Sequence, residues 1–159
     1  ADHLCAATFM IADGVRPTNT DAGYFVRRLL RRAALHMDTL GMPEHTLVNL
    51  VHDITVAYAD AYPVLQQQEK NIEKEIQEEE ERFRKTLQKG LHEFEKIITS
   101  QISGEAAFDL YQTYGFPIEV TEELAHKKNV RVDRTGFDER MKKHQEISRI
   151  GADTSLSVL

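Results

Sequence analysis

Four arginines, Arg27, Arg28, Arg31 and Arg32, make the most distinctive chemical pattern in this chain. On a helix, four-residue spacing sets Arg27 over Arg31 and Arg28 over Arg32, in two adjacent rows on one face. Like charges so placed repel, so the helix carries an electrostatic cost unless acids or phosphates lie opposite. The guanidinium fork suits two-pronged contact with phosphate. It also suits carboxylates, and a long Glu-rich stretch further along the chain offers them. Just ahead of these arginines, the loop "RPTN" carries Arg16 and ends in Asn19. A carboxamide has both a donor and an acceptor and can read a base edge, although an Asn bonding its own backbone in a turn is the plainer reading. A second amide, Gln112, stands between two tyrosines in "LYQTYGFP".

Other chemistry finds little support. The seven histidines include no H-x-x-x-H pair and no companion carboxylate at metal-ligand spacing. His45 and His52 lie two turns apart. No glycine-rich phosphate loop, nucleophile elbow or paired catalytic carboxylate can be argued, so we expect no catalytic residue and no metal site. A single cysteine, Cys5, excludes an internal disulfide and a Cys-rich zinc site, and suits a reducing cytoplasm. The net charge of −6 argues weakly against nucleic acid, because phosphate contacts need Lys and Arg. That charge averages over faces, however, and the arginines are concentrated on one. No apolar run reaches the roughly 20 residues a membrane span needs. The chain opens on Ala1 and enters helical periodicity at once, which reads as part of a longer protein.

The elements that must position these residues are helical. A short apolar helix spans His3 to about Ile11 and ends at Asp13-Gly14; "VRPTNTDAG" is a loop. A strong helix starts at Tyr24, with apolar residues at three- and four-residue steps from Phe25 to Leu40, and Gly41 ends it. Pro43 suits the first turn of a third helix, which carries Leu47, Leu50, Val51, Ile54, Ala57 and Tyr58 on one face. From Pro63 to about Ser100 runs a long polar helix with a narrow stripe of Ile72, Ile76, Phe83, Leu87, Leu91, Phe94 and Ile98. Gly90 is a weak point in it, worth about 1 kcal/mol relative to Ala. Ser103 caps a helix from Glu105 to Tyr114, closed by Gly115 in the left-handed position and by Pro117. Another helix begins near Thr121, "NVRV" is an extended connector, and Asp133 opens a last helix to about Arg149, closed by Gly151. The expected fold is all-α with little room for a sheet. It comprises a helical subdomain over 1–62, a long connecting helix over 63–100, a second subdomain over 101–150, and a tail over 151–159 without a clear pattern.

Several stretches match a known family in order. "ADHLCAATFMIADGVRPTN", "GYFVRRLLRRA" and "AFDLYQTYGFPIEVTEEL" resemble segments that follow the catalytic core of alanyl-tRNA synthetases, and "RVDRTGFDERMKKHQE" resembles the helix that comes next. The resemblance implies a helical tRNA-recognition region that grips the acceptor stem of alanine tRNA and reads a G·U wobble at the third pair. It places Asn19 and Gln112 on the two base-reading positions, and the helix of Arg27, Arg28, Arg31 and Arg32, with Arg16 before it, along the phosphates. It implies a cytoplasmic ligase whose ATP, Mg and alanine sites lie in an upstream core and whose zinc lies in a downstream editing domain. This segment alone is then expected to be inactive and free of cofactors, with those two domains as its partners within the chain. Two departures stand out. Gln112 replaces the family's usual Asp, and Cys5 stands where Arg is usual. The competing reading is a helical scaffold whose charged helix binds another protein.

Overall fold

The computed structural model describes the backbone of residues 1–156 and the side chains of residues 1–147. The helices are α1 (Asp2–Ala12), α2 (Asp21–Thr39), α3 (Thr46–Ala57), α4 (Val64–Ile97), α5 (Gly104–Tyr114), α6 (Ile118–Lys127) and α7 (Arg134–Leu156). The all-α expectation holds, with one small exception. Gln101–Ile102 (β1) and Arg131–Val132 (β2) pair in parallel, and Asp133 N–H donates to Ile102 O at 2.9 Å. While Asn129 stands in a turn, the last two residues of the connector "NVRV" are therefore one strand of a two-stranded ladder. Its partner was hidden in sequence because Ile102 is a lone buried side chain between a helix end and a cap, 1% exposed. A backbone drawn inside by such a residue must find hydrogen-bond partners.

Several helix ends differ from expectation for local reasons. α2 starts at Asp21, three residues before Tyr24, after Thr20 in extended conformation. Pro43 stays outside α3; His45 takes a left-handed conformation before it, and the Thr46 hydroxyl donates to Pro43 O at 2.6 Å. α6 begins directly after Pro117 rather than at Thr121. Gly151 does not close α7, which runs on to Leu156; residues 157–159 of the expected tail lie outside the described residues. The caps of α5 are as expected. Ser103 Oγ accepts from Ala106 N–H, and Gly115 sits at φ 71° with its N–H bonded to Tyr111 O.

The chain forms two compact units, residues 1–88 and residues 89 onward, and their boundary falls inside α4. In the first unit, α1, α2 and α3 pack on one another around Leu4, Ile11, Val26, Leu30, Leu47 and Val51. Leu65, Ile72, Ile76, Phe83 and Leu87 of α4 are buried as well. Each such side chain contributes on the order of 1.5–3 kcal/mol by leaving water. On the outer side of this unit, His52 Nδ1 lies 3.0 Å from Glu69, which also accepts from the Thr55 hydroxyl.

In the second unit, glycine decides how closely helices approach. Gly90 is no mere weak point. A Cβ there would sit 2.5 Å from the Phe116 ring and 3.0 Å from Tyr114 Cβ, so the missing side chain is the space Phe116 occupies. Gly104 and Gly136 let the first turns of α5 and α7 cross backbone to backbone: a Cβ on Gly104 would meet Gly136 C and Phe137 N. Phe108, Tyr111 and Phe137 then pack ring against ring at 5.9–6.1 Å between centroids.

Two expectations test this description. Gly104→Ala should destabilise the protein by about 1–3 kcal/mol, because backbone atoms cannot step aside as a flexible side chain can; an unchanged thermal midpoint would show the crossing to be loose. The His52–Glu69 pair should make stability depend on pH. The hydrogen bond to Glu69 raises the His52 pKa, and hydrogen bonds from Thr55 and then His52 lower that of Glu69. His52 therefore stabilises fully below its unfolded pKa of about 6.5, and this is lost as pH rises through the higher folded value. Glu69 stabilises above its unfolded value of about 4.3, and this is lost as pH falls through the lower folded value. The pair contributes most between about pH 4.3 and 6.5. His52→Ala should lower the melting temperature more at pH 5.5 than at pH 8.5, and an equal drop at both would count against the pair.

Candidate nucleic-acid interface

Asn19 is held at the surface by the loop before α2. Gly23, on the first turn of α2, allows that loop to lie against the helix; a Cβ there would collide with Thr18 Oγ1 and Arg16 O. Thr18 N–H donates to Gly23 O at 3.1 Å and its hydroxyl to Thr20 O at 3.0 Å, closing the loop on itself. Asn19 is exposed, and its Oδ1 accepts a hydrogen bond from Arg27 Nη1. The carboxamide is therefore oriented: its acceptor end is engaged within the protein, and Nδ2 is the end left to meet a ligand.

The arginines divide into two kinds. Arg27 and Arg31 are largely buried, with side chains 16% and 12% exposed, and they converge on Glu79 of α4. Arg31 Nε and Nη2 lie 2.7 and 2.6 Å from Glu79 Oε1, and Arg27 Nε lies 3.3 Å from the same oxygen. Arg27 Nη2 reaches Pro17 O at 3.5 Å. The electrostatic cost of stacking these two cations is thus offset from inside by a carboxylate, and they do not form a solvated face. The other two sit differently. Arg28 lies over the Phe25 ring at 4.6 Å, a cation–π contact on a ring that is itself 42% exposed. Arg32 is half-buried, and its charge, after burial, helps hold the His3 pKa down. Arg16 extends into solvent at 74% side-chain exposure, with its Nε 3.4 Å from Glu75.

Glu79 was missed from sequence, and with it Glu75 and Glu80; all three are buried, Glu79 completely. The signal was present. The apolar stripe of α4 steps from Ile76 to Phe83, and the helical positions between them on that face are Glu79 and Glu80. Their acidity makes them look solvated, as charged residues are almost never buried unless paired. Here the pairs exist: Glu80 Oε1 accepts from Arg84 Nε at 3.0 Å, and Arg84 Nη1 lies 3.9 Å from Asp38.

Gln112 lies in the second unit, exposed on α5 with Asp109 and Thr113 beside it. Its backbone is fixed at both ends. Ser103 caps the start of the helix, Gly115 turns the chain at its end, and the next residue, Phe116, is fully buried. Tyr111 faces Phe137 edge-on at 5.9 Å. Cys5 is half-buried and shares a hydrogen bond with the Tyr58 hydroxyl, which raises the phenol pKa. Among the described residues, no three His, Cys, Asp or Glu side chains come together as a metal site, and no helix is long and apolar enough to cross a membrane.

Burial of Glu79 makes its partners structural. Arg31→Leu should destabilise the protein by about 3–5 kcal/mol, because it strips a buried carboxylate of its closest cation. Lys74→Ala, on an exposed pair with Glu78 at 4.0 Å, should cost less than about 1 kcal/mol. Denaturant midpoints compare the two directly, and equal losses would show that Glu79 reaches solvent.

The family profile described as tRNA synthetases class II (A) matches residues 1–157. The chain is 45% identical over 159 residues to an alanine–tRNA ligase of Borrelia garinii subspecies bavariensis, with 96% of this chain and 27% of the relative aligned. It is 44% identical to the alanine–tRNA ligase of Treponema pallidum, over 95% of this chain and 26% of the relative. To that of Vesicomyosocius okutanii it is 38% identical, over 98% and 18%. The chain thus spans about a quarter or less of the length of these relatives. Matched from its first residue to 157, it belongs to the class II (A) family of tRNA synthetases.

Proposed function

We propose that this chain is the tRNA-recognition region of an alanine–tRNA ligase, binding the acceptor stem of alanine tRNA and reading a G·U wobble at its third pair through Asn19 and Gln112. The family match supplies the tRNA, and the clamp on Asn19 is the observation that carries the base-reading assignment. In A-form RNA the wide, shallow minor groove is the one side chains can read, and a wobble guanine presents an unpaired exocyclic amino group there. Recognition of such a pair needs one acceptor, for the guanine amino group, and one group for the uracil side. With Oδ1 engaged by Arg27, Asn19 acts as a donor and suits pyrimidine O2. Gln112, exposed on its capped helix, supplies the acceptor.

Gln112 is neutral where the family usually places a carboxylate. Charge-assisted hydrogen bonds are roughly twice as strong as neutral ones. The Gln112 NH2 can also donate to pyrimidine O2, which a carboxylate cannot do, so discrimination by this chain is weakened. Arg16, Arg28 and Arg32 take the phosphate contacts, while Arg27 and Arg31 act from within. The parent enzyme attaches alanine to its tRNA using ATP in the cytoplasm. In this reading ATP, Mg and zinc belong to regions of the parent other than this segment, which is inactive by itself.

Two measurements decide the reading. Competition binding of acceptor-stem minihelices differing only at the third pair should show Gln112→Asp raising the preference for G·U over G·C by about tenfold, equivalent to about 1.4 kcal/mol. An unchanged preference removes Gln112 from the pair. Arg28→Ala together with Arg32→Ala should weaken binding to all of these RNAs alike and flatten the salt dependence by about one phosphate contact per arginine. A slope as steep as before places the phosphates elsewhere.

A further inference from the structure

We infer that Glu79, buried on α4, is a positioning residue for base discrimination: it fixes the Arg27 guanidinium, and through it the orientation of the Asn19 carboxamide. The inference rests on Asn19 as a base-reading residue and extends that role to a side chain that never meets RNA.

Three nitrogens of Arg27 serve three partners. Nε faces Glu79 Oε1 at 3.3 Å, Nη1 donates to Asn19 Oδ1, and Nη2 lies 3.5 Å from Pro17 O. A planar fork that is ion-paired with Glu79 beside Nε and hydrogen-bonded through Nη1 and Nη2 turns only by losing those contacts, and the fork is what separates Arg from Lys here. Glu79 is itself enclosed. Its side chain is fully buried, and Arg31 grips the same oxygen through both Nε and Nη2. Arg82 Nη1 stands 3.8 Å from the other oxygen. The order of constraint runs from Arg31 to Glu79 to Arg27 to Asn19, from the interior of the unit to its surface.

The need for such a relay follows from the chemistry of an amide. Oxygen and nitrogen ends of a carboxamide have nearly the same size and shape, and an exposed Asn can present either by turning about its last torsion. A donor can meet pyrimidine O2, whereas an acceptor meets the guanine amino group. Discrimination at a base pair therefore depends on which end points outward, and Arg27, having no acceptor, forces the oxygen inward. Once Glu79 is neutral, Arg27 keeps its charge but loses the carboxylate it is ion-paired with. Its guanidinium can then turn to a phosphate and release Asn19.

The test uses the full-length chain and the same minihelices, comparing Glu79→Gln, Asn19→Ala and the double variant, with circular dichroism to confirm the helical fold. Glu79→Gln should reduce the preference for G·U over G·C about tenfold, as Asn19→Ala does, and the double variant should lose no more than either alone. A Glu79→Gln protein that binds both RNAs more weakly by the same factor, with preference intact, overturns the relay and leaves Asn19 as a reader. Additive losses in the double variant also overturn it. If Asn19→Ala leaves the preference unchanged, the base-reading assignment itself fails, and the relay with it. Should Glu79→Gln not fold, Arg27→Lys keeps the charge beside Glu79 without the fork. Loss of preference in that variant supports the relay, and retention overturns it.

Discussion

A carboxylate without access to water organises the first unit of this chain. Glu79 is completely buried on α4, and two arginines one helical turn apart on α2 meet it at a single oxygen. Burying such a charge costs several kcal/mol unless it is paired, and stacking two guanidiniums four residues apart is unfavourable without an anion opposite. Each arrangement is unstable alone, and each supplies what the other lacks. The register of α2 on α4 is thereby specified more tightly than apolar packing alone would specify it, since a turn's slip would leave a buried charge unpaired. The surface loop inherits that precision through Arg27.

The second unit reaches a fixed geometry by other means. Among its described residues, no carboxylate is buried as Glu79 is. Glycines at 90, 104 and 136 bring backbone and rings into direct contact, and Phe108, Tyr111, Phe116 and Phe137 fill the space between. Tyr111 and Phe137 meet edge to face, an arrangement aromatic pairs favour. The exposed amide of Gln112 thus stands on a helix whose ends and inner face are held. In the first unit Arg27 orients the exposed Asn19 carboxamide, and in the second Gln112 is exposed on a helix capped at both ends.

Much of this was legible in the residues. Periodicity located the helices, and the caps Ser103 and Gly115 were identified because they are local: a side chain bonds its own neighbouring backbone, with no need of tertiary context. Errors fell where context rules. The start of α6 directly after Pro117 and the exclusion of Pro43 from α3 reflect turns whose conformation neighbouring elements decide. The ladder of β1 with β2 is short and depends on a partner about thirty residues away, beyond the reach of pattern. Gly90 read as a defect because propensity counts a missing side chain as a loss, whereas packing counts it as room for Phe116.

By itself the sequence determined the helical class, the placing of two amides beside stable helix ends, and, by resemblance, the family. These follow from spacing and local hydrogen bonding, which one strand of residues contains in full. Which arginines pair with a buried carboxylate was decided by the tertiary structure alone. Four arginines on one helix look alike along the chain, yet two are drawn inward by a glutamate 48 residues from Arg31, while Arg28 rests on an exposed ring. The difference is electrostatic and three-dimensional: the worth of a charge depends on what lies across from it and how much water remains between.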